Sequence, residues 1–141
     1  MNDLVLQTIT YLLMPFIQVY GIFVVVNGHL SPGGGFPGGT ILGASIILYA
    51  LTFDVGFARD IYPDDRAEVV ESTSVLIFVL IGLSALLGGY SFLTNVGILS
   101  GGETGTLFTG GFIMPVTLAI GAKVASTVIT LFTHLFGERK P

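Results

Sequence analysis

A single lysine lies deep inside a long apolar stretch of the sequence. Lys123 falls within residues 112–136, a run long enough to cross a bilayer, since a spanning helix needs roughly 20 mainly apolar residues. Thr127, Thr130 and His134 follow it at i+4, i+7 and i+11, which places all four on one helix face. A desolvated lysine can titrate near neutrality and hydroxyls can hold water. The stripe is therefore a candidate half of a proton or cation pathway.

A structural role for Lys123 is the competing interpretation, in which the ammonium is paired across a helix interface and the stripe packs on partner subunits. Asp54 is a possible partner, because both residues lie at a similar depth when counted from the outer ends of their predicted helices. At 1.5 Å per residue, Asp54 is about 22 Å from Gly39 and Lys123 about 16 Å from Phe112. An interfacial carboxylate is the alternative for Asp54. The sequence is compatible with both interpretations.

The elements that position these residues follow from composition. Of the 141 residues, 52% are hydrophobic and 10% are charged, whereas soluble domains carry about 25% charged residues. We therefore predict an all-α integral membrane protein, a bundle of four transmembrane helices forming a single membrane domain over residues 1–141. The predicted spans cover residues 4–26, 38–57, 73–92 and 112–136.

The basic residues predict the orientation of this bundle. Those outside the spans all fall on the side that holds both termini and the middle loop; they are Arg59, Arg66, Arg139 and Lys140. The positive-inside rule then places both termini in the cytoplasm. The acidic middle loop, residues 54–71, is predicted to be a solvated cytoplasmic connector that could dock a basic partner. The second glycine-rich loop, residues 97–111, faces outward and carries one charge, Glu103.

Several classes of function are disfavoured by the sequence. There is no cysteine, which excludes a disulfide framework and any Cys-based metal or cluster site. The formal charge of −4 argues against nucleic-acid binding. The carboxylates of the middle loop have no accompanying His and do not match an EF-hand. We expect no catalytic residues, no cofactor and no metal.

The first outward loop is built from glycine and proline. Its residues are His29, Pro32, Gly33, Gly34, Gly35, Phe36, Gly38 and Gly39. The loop lacks the Gly-Lys-Ser/Thr ending of a phosphate-binding loop and contains no Lys or Arg. Gly39 and Gly43 form a small-xxx-small pattern, which allows helices to approach closely. We therefore expect a tightly packed connection that touches another subunit.

This loop also carries a family resemblance. Pro15-Phe16, Val19-Tyr20-Gly21 and the string from His29 to Gly39 resemble the first half of the MnhB/MrpB family, small subunits of multi-subunit Mrp-type Na⁺/H⁺ antiporters. The resemblance implies a multi-pass cell-membrane subunit without redox centres, with other membrane subunits as partners and Na⁺ and H⁺ as transported ions. Such a subunit would line or seal part of a cation path in the lipid bilayer.

One departure from the family pattern keeps a second setting open. Many antiporter members carry an acidic residue before the last helix, where this chain reads Leu107-Phe108-Thr109-Gly110-Gly111-Phe112. Related subunits also occur in archaeal membrane-bound hydrogenases and sulfur-reducing relatives of respiratory complex I. In such a complex the redox centres would belong to other subunits. A purely structural spacer is the third interpretation.

Overall fold

The fold is entirely helical in the part of the chain that the computed structural model describes, which comprises residues 4–28, 30, 33–94 and 111–136. Its helices are α1 Leu4–Val26, α2 Gly35–Thr52, α3 Val55–Ile61, α4 Asp64–Leu87 and α5 Ile113–Phe136. All of these except the short α3 are long and apolar enough to cross a membrane. Within the described ranges, the predicted helical class and the four candidate spans are confirmed.

The third span begins nine residues earlier than predicted, and the predicted middle loop is mostly helical. α3 and the first two turns of α4 occupy it. Pro63 precedes α4 with φ −63° and ψ 150°, and Asp64 and Asp65 lie in the first turn. Their carboxylates interact favourably with the positive end of the helix dipole. The assignment of residues 54–71 to a loop was therefore wrong for the section from Asp64 onward.

The second span is shifted in the same direction. α2 begins at Gly35 and ends at Thr52, three residues before its predicted start and five before its predicted end. Pro37 is tolerated because it lies in the first helical turn, where its missing N–H would have no partner in the helix. Gly34 precedes the helix with φ +137°, a conformation that L side chains rarely adopt. Any other residue at position 34 would therefore strain the backbone.

The helices pack in the spatial order α1, α2, α5, α4. α2 contacts α1 on one side and α5 on the other, and α4 packs mainly against α5. The short α3 touches α2 and α5 near the end of the bundle where α4 begins. α5 is therefore the element shared by both halves of the bundle.

Glycines allow α2 to approach both neighbours. A Cβ on Gly38 would collide with Val25 of α1, and one on Gly39 would lie 2.5 Å from the carbonyl oxygen of Gly121 in α5. One turn further on, a Cβ on Gly43 would lie 2.9 Å from Cγ1 of Val128. Close backbone approach through small residues is a main source of helix association in membranes, where lipid tails already satisfy apolar side chains.

The core is small and rich in hydroxyl groups. The buried polar residues are Thr10, Ser45, Ser74, Ser126 and Thr133. The hydroxyls of Thr10 and Thr52 lie 3.0 Å apart and join α1 to α2. Ser126, which is 1% exposed, joins α5 to α4. Hydroxyl groups therefore supply the buried polar contacts between the spans in the described ranges.

Candidate functional site

α5 holds Lys123 about 15 Å from its first residue, Ile113, near the middle of the span. The side chain is exposed in the isolated chain. It also lines a cavity of about 160 Å³ between α4 and α5, together with Ser74, Val75, Phe78, Ala119 and Ile120. The ammonium therefore lies at the rim of the α4–α5 seam.

The other members of the predicted stripe have separate environments. Thr127 is exposed, whereas the hydroxyl oxygen of Thr130 is buried without a hydrogen-bond partner among the described residues. The Nε2 atom of His134 lies 3.3 Å from Oδ1 of Asp64, which links the end of α5 to the start of α4. His134 thus contacts α4 at the far end of the stripe that begins at Lys123.

Asp54 does not pair with Lys123; in the described ranges the ion pair found is the one between His134 and Asp64. The reason is that α2 is displaced along the axis of α5. Gly39 lies against Gly121 and Val124, so the start of α2 is level with the middle of α5. Asp54 follows the end of α2 and is about 20 Å further along the bundle than Lys123. The predicted pair was wrong because it assumed that the outer ends of the two helices lie at the same depth.

The carboxylate that meets α5 within the span is Glu71. The hydroxyl of Ser126 lies 3.3 Å from Oε1 of Glu71 and 3.3 Å from the carbonyl oxygen of Ala67. Glu71 is partly buried and lies on the same face of α4 as Ser74, one turn later. Sequence reasoning missed Glu71 because it placed this residue in a loop. The signal was Pro63 followed by two aspartates, a helix-start pattern that puts Glu71 two turns into α4.

Arg59 ties α3 to the end of α5. One of its terminal guanidinium nitrogens donates to the carbonyl oxygen of Thr133 at 3.1 Å, while its Nε is buried without a hydrogen-bond partner in the described ranges. The carbonyls of a helix's last turn have no partner within the helix, and a cation there is favourable. Arg59 therefore caps α5 from a neighbouring element.

The glycine loop is described only in part, because His29 and Pro32 lie outside the described residues. Gly34, Gly35, Gly38 and Gly39 are buried, whereas Gly33 and Phe36 are exposed. Gly38 lies against α1, Gly35 and Gly39 lie against α5, and the exposed Phe36 ring is left at the surface. The loop's role within this chain is to bring three helices together. Glu103 also lies outside the described residues.

Searched over the described ranges, the chain has no group of three or more His, Asp or Glu side chains that could hold a metal ion. The polar groups that meet within the spans are instead hydroxyls, one carboxylate and one ammonium. These groups can bind or pass protons, or hold water.

Comparison with known proteins gives this arrangement a family. Residues 5–130 match the domain related to the MnhB subunit of Na⁺/H⁺ antiporter. A Na⁺/H⁺ antiporter subunit from Bacillus subtilis is 37% identical over 94 residues, and its counterpart from Alkalihalophilus pseudofirmus is 31% identical over 94 residues. Each alignment covers 67% of this chain and 65% of the relative. The chain thus spans slightly less than two thirds of these relatives.

A solved structure shares the fold. A chain of the membrane-bound sulfane sulfur reductase, an archaeal respiratory membrane complex, is similar with a TM-score of 0.79 and 34% identity. The similarity covers 96% of this chain and 58% of that one. The family match extends over most of the sequence, and the solved structure shows the same helical arrangement. The chain belongs to the MnhB domain family.

Proposed function

We propose that this chain is a membrane subunit, without redox centres of its own, of a multi-subunit Mrp-type Na⁺/H⁺ antiporter. In this role it packs against other membrane subunits and lines or seals part of a cation or proton path. The end of the bundle that holds α3 faces the cytoplasm. The family match and the naming of its relatives as antiporter subunits support this function.

The observation that carries the proposal is the exposure of Lys123 in the middle of a span. A lysine at the centre of a membrane helix costs about 3 kcal/mol or more, and such residues face a protein interior or a water-filled cavity instead of lipid. Thr127, one turn later on α5, is exposed as well. Another subunit, or water held between subunits, therefore covers this side of α5.

Purification from native membranes tests the assembly. A tagged chain, extracted in a mild detergent, is expected to bring other polytopic membrane proteins with it, identified by mass spectrometry. Everted membrane vesicles containing the complex are expected to show proton movement upon addition of Na⁺. A chain that purifies alone from intact native membranes contradicts the proposal.

A second candidate function is favoured by the similarity to a chain of the sulfane sulfur reductase complex. In that setting the same subunit belongs to an oxidoreductase assembly that couples electron flow to ion movement. The chain contains no cysteine, so iron–sulfur centres would be held by other subunits. Co-purification of iron–sulfur or nickel proteins decides for this candidate; their absence beside active antiport decides for the first.

A structural spacer is the remaining alternative, and variants test it. Lys123→Ala and His29→Ala are compared with the natural chain for complex assembly and Na⁺/H⁺ exchange. If both variants assemble and exchange ions at the natural rate, a role of these residues in the ion path is contradicted and the spacer remains.

A further inference from the structure

The contact between Glu71 and Ser126 leaves a carboxylate only partly satisfied. A serine hydroxyl has one hydrogen to donate, and the hydroxyl of Ser126 has two acceptors at 3.3 Å, Oε1 of Glu71 and the carbonyl oxygen of Ala67. In the part of the chain that the structure describes, Glu71 has no other hydrogen bond or ion pair. A carboxylate held this loosely retains free lone pairs for another donor.

The depth of Glu71 along its membrane helix makes such a loosely held carboxylate unusual. It precedes Leu87, the last residue of α4, by about 24 Å, and Ser126 follows Ile113, the first residue of α5, by about 20 Å. A hydrocarbon core about 30 Å thick, with one boundary at the level of Leu87 and Ile113, encloses both Glu71 and Ser126. Glu71 then lies within the apolar layer near its α3 side. Ionisable residues at such positions are rare and mark ion or proton pathways.

Lys123 lies on the same side of the α4–α5 seam. It shares the 160 Å³ cavity with Ser74, which is one turn beyond Glu71 on α4, and it is one turn from Ser126 on α5. The ammonium and the carboxylate are therefore on adjacent turns without a direct ion pair within 4.0 Å. Glu71 is not among the residues that line this cavity, and most of its lining side chains are apolar.

Resting on the proposed antiporter function, we propose that Glu71, oriented by Ser126 and with Lys123 one turn away on α5, is a proton-exchange site at the α4–α5 seam. The carboxylate accepts a proton from a hydronium ion arriving from the α3 side, forming one O–H bond and leaving water. It then gives the proton to a water molecule that reaches the seam in the assembled complex, which forms hydronium and restores the carboxylate. Glu71 is the group that binds the proton, and Ser126 is a positioning residue.

A proton fits this site better than Na⁺. Three protein oxygens meet here, from Glu71, Ser126 and Ala67, fewer than the six or so that hard cations take. Na⁺ moving through the assembled complex would therefore use other groups, with this site serving the proton.

Other titratable groups near the seam are already engaged or lie further along the helices. On α5, His134 contacts Asp64, two turns before Glu71 on α4. Arg59 of α3 donates to the carbonyl oxygen of Thr133. Glu68, one turn before Glu71, lies in the same apolar layer but is exposed and has no hydrogen bond or ion pair with α5 among the described residues. It therefore serves as a matched control on the same helix.

The test uses the assembled complex in everted vesicles. Glu71→Gln is expected to lower Na⁺-driven proton movement at least tenfold with an unchanged amount of complex, and Glu71→Asp to restore part of it. Glu68→Gln is expected to behave like the natural chain. If Glu71→Gln keeps the natural rate, the proposal is overturned.

A second measurement does not depend on transport. A hydrophobic carbodiimide, dicyclohexylcarbodiimide, modifies protonated carboxyl groups in apolar surroundings, and mass spectrometry locates the adduct. Labelling of Glu71 is expected to increase as the pH falls and to be unaffected by Na⁺. Absence of labelling at every pH shows a permanently ionised, structural carboxylate, and protection by Na⁺ shows a sodium site. Either result overturns the proposal.

If Glu71→Gln reduces assembly of the complex, the variant Ser126→Ala provides a further test. It keeps the carboxylate but removes its donor, so transport is expected to fall several-fold while Glu71 remains labelled. Natural transport and an unchanged pH dependence of labelling contradict a role for Ser126. Failure of the whole complex to move Na⁺ contradicts the antiporter function alone, because the labelling of Glu71 still reports whether the carboxylate binds a proton.

Discussion

Asp64 and His134 join the first turn of α4 to the last turn of α5, with Oδ1 and Nε2 3.3 Å apart. Together with the contact between Glu71 and Ser126 and the cavity shared by Ser74 and Lys123, this pair sets the register of two antiparallel helices. At three places along the α4–α5 seam, a polar side chain of α4 therefore lies opposite one of α5.

The pair between Asp64 and His134 is expected to contribute little stability. Its side chains are 57% and 55% exposed, and exposed ion pairs contribute about 0–1 kcal/mol. Asp64→Asn, His134→Gln and the double variant, unfolded in detergent micelles, are expected to give a coupling energy below about 1 kcal/mol that decreases with added salt. A larger, salt-independent coupling would contradict the solvent exposure of this pair.

The approach of α2 to α5 predicts a severe effect at Gly39. Gly39→Val places branched carbons where a Cβ already lies 2.5 Å from the carbonyl oxygen of Gly121. Overpacking of this kind costs about 1–3 kcal/mol. Ala44→Val, at an exposed position of the same helix, is the matched control. Thermal unfolding of the purified protein is expected to show the loss for Gly39→Val alone; equal losses contradict the tight contact.

The hydroxyl pair between Thr10 and Thr52 is expected to make a modest contribution. Hydrogen bonds between membrane helices average about 0.6 kcal/mol. Thr10→Val and Thr52→Val keep the shape of the side chain and remove the hydroxyl. Because Thr52 also donates to the carbonyl oxygen of Leu48, only a double-mutant cycle isolates the pair. A coupling energy near zero would show that the contact between α1 and α2 depends on its glycines alone.

Arg59 is expected to hold α3 against the end of α5. Arg59→Ala removes the donor to Thr133, so amide hydrogen exchange in the last two turns of α5 is expected to accelerate several-fold. Arg66→Ala removes an exposed arginine nearby and serves as the control. Equal exchange in the two variants contradicts the capping role of Arg59.

Hydrophobicity and length identified the four spans, because lipid requires helices whose backbone polar groups are satisfied within the segment. The start of α4 was predicted poorly, since hydrophobicity marks where the apolar run begins, whereas a membrane helix can begin earlier. Pro63, Asp64 and Asp65 begin this helix in a polar stretch. The glycine pattern at Gly39 and Gly43 correctly indicated close packing without naming its partner helix.

The candidate site shows the limit of counting residues from helix ends. Lys123 could be recognised from its apolar surroundings, because a lone charge in a span is conspicuous in sequence. The residues that lie near Lys123 could not be recognised in this way, since they depend on how far each helix is offset along its neighbour. The contact of Gly39 with Gly121 moves Asp54 about 20 Å away, and the earlier start of α4 brings Glu71 to Ser126.

The packing of α4 mainly on α5 also constrains biosynthesis. α4 leaves the ribosome before α5, whereas α1 and α2 can associate as soon as both are made. A nascent chain that ends before residue 126 places Glu71 in the translocon without the serine hydroxyl that contacts it. We therefore expect insertion of α4 to be completed when α5 arrives, with the two helices entering the bilayer as a pair. Ribosomal pausing between these two helices would expose the acidic segment to membrane quality control.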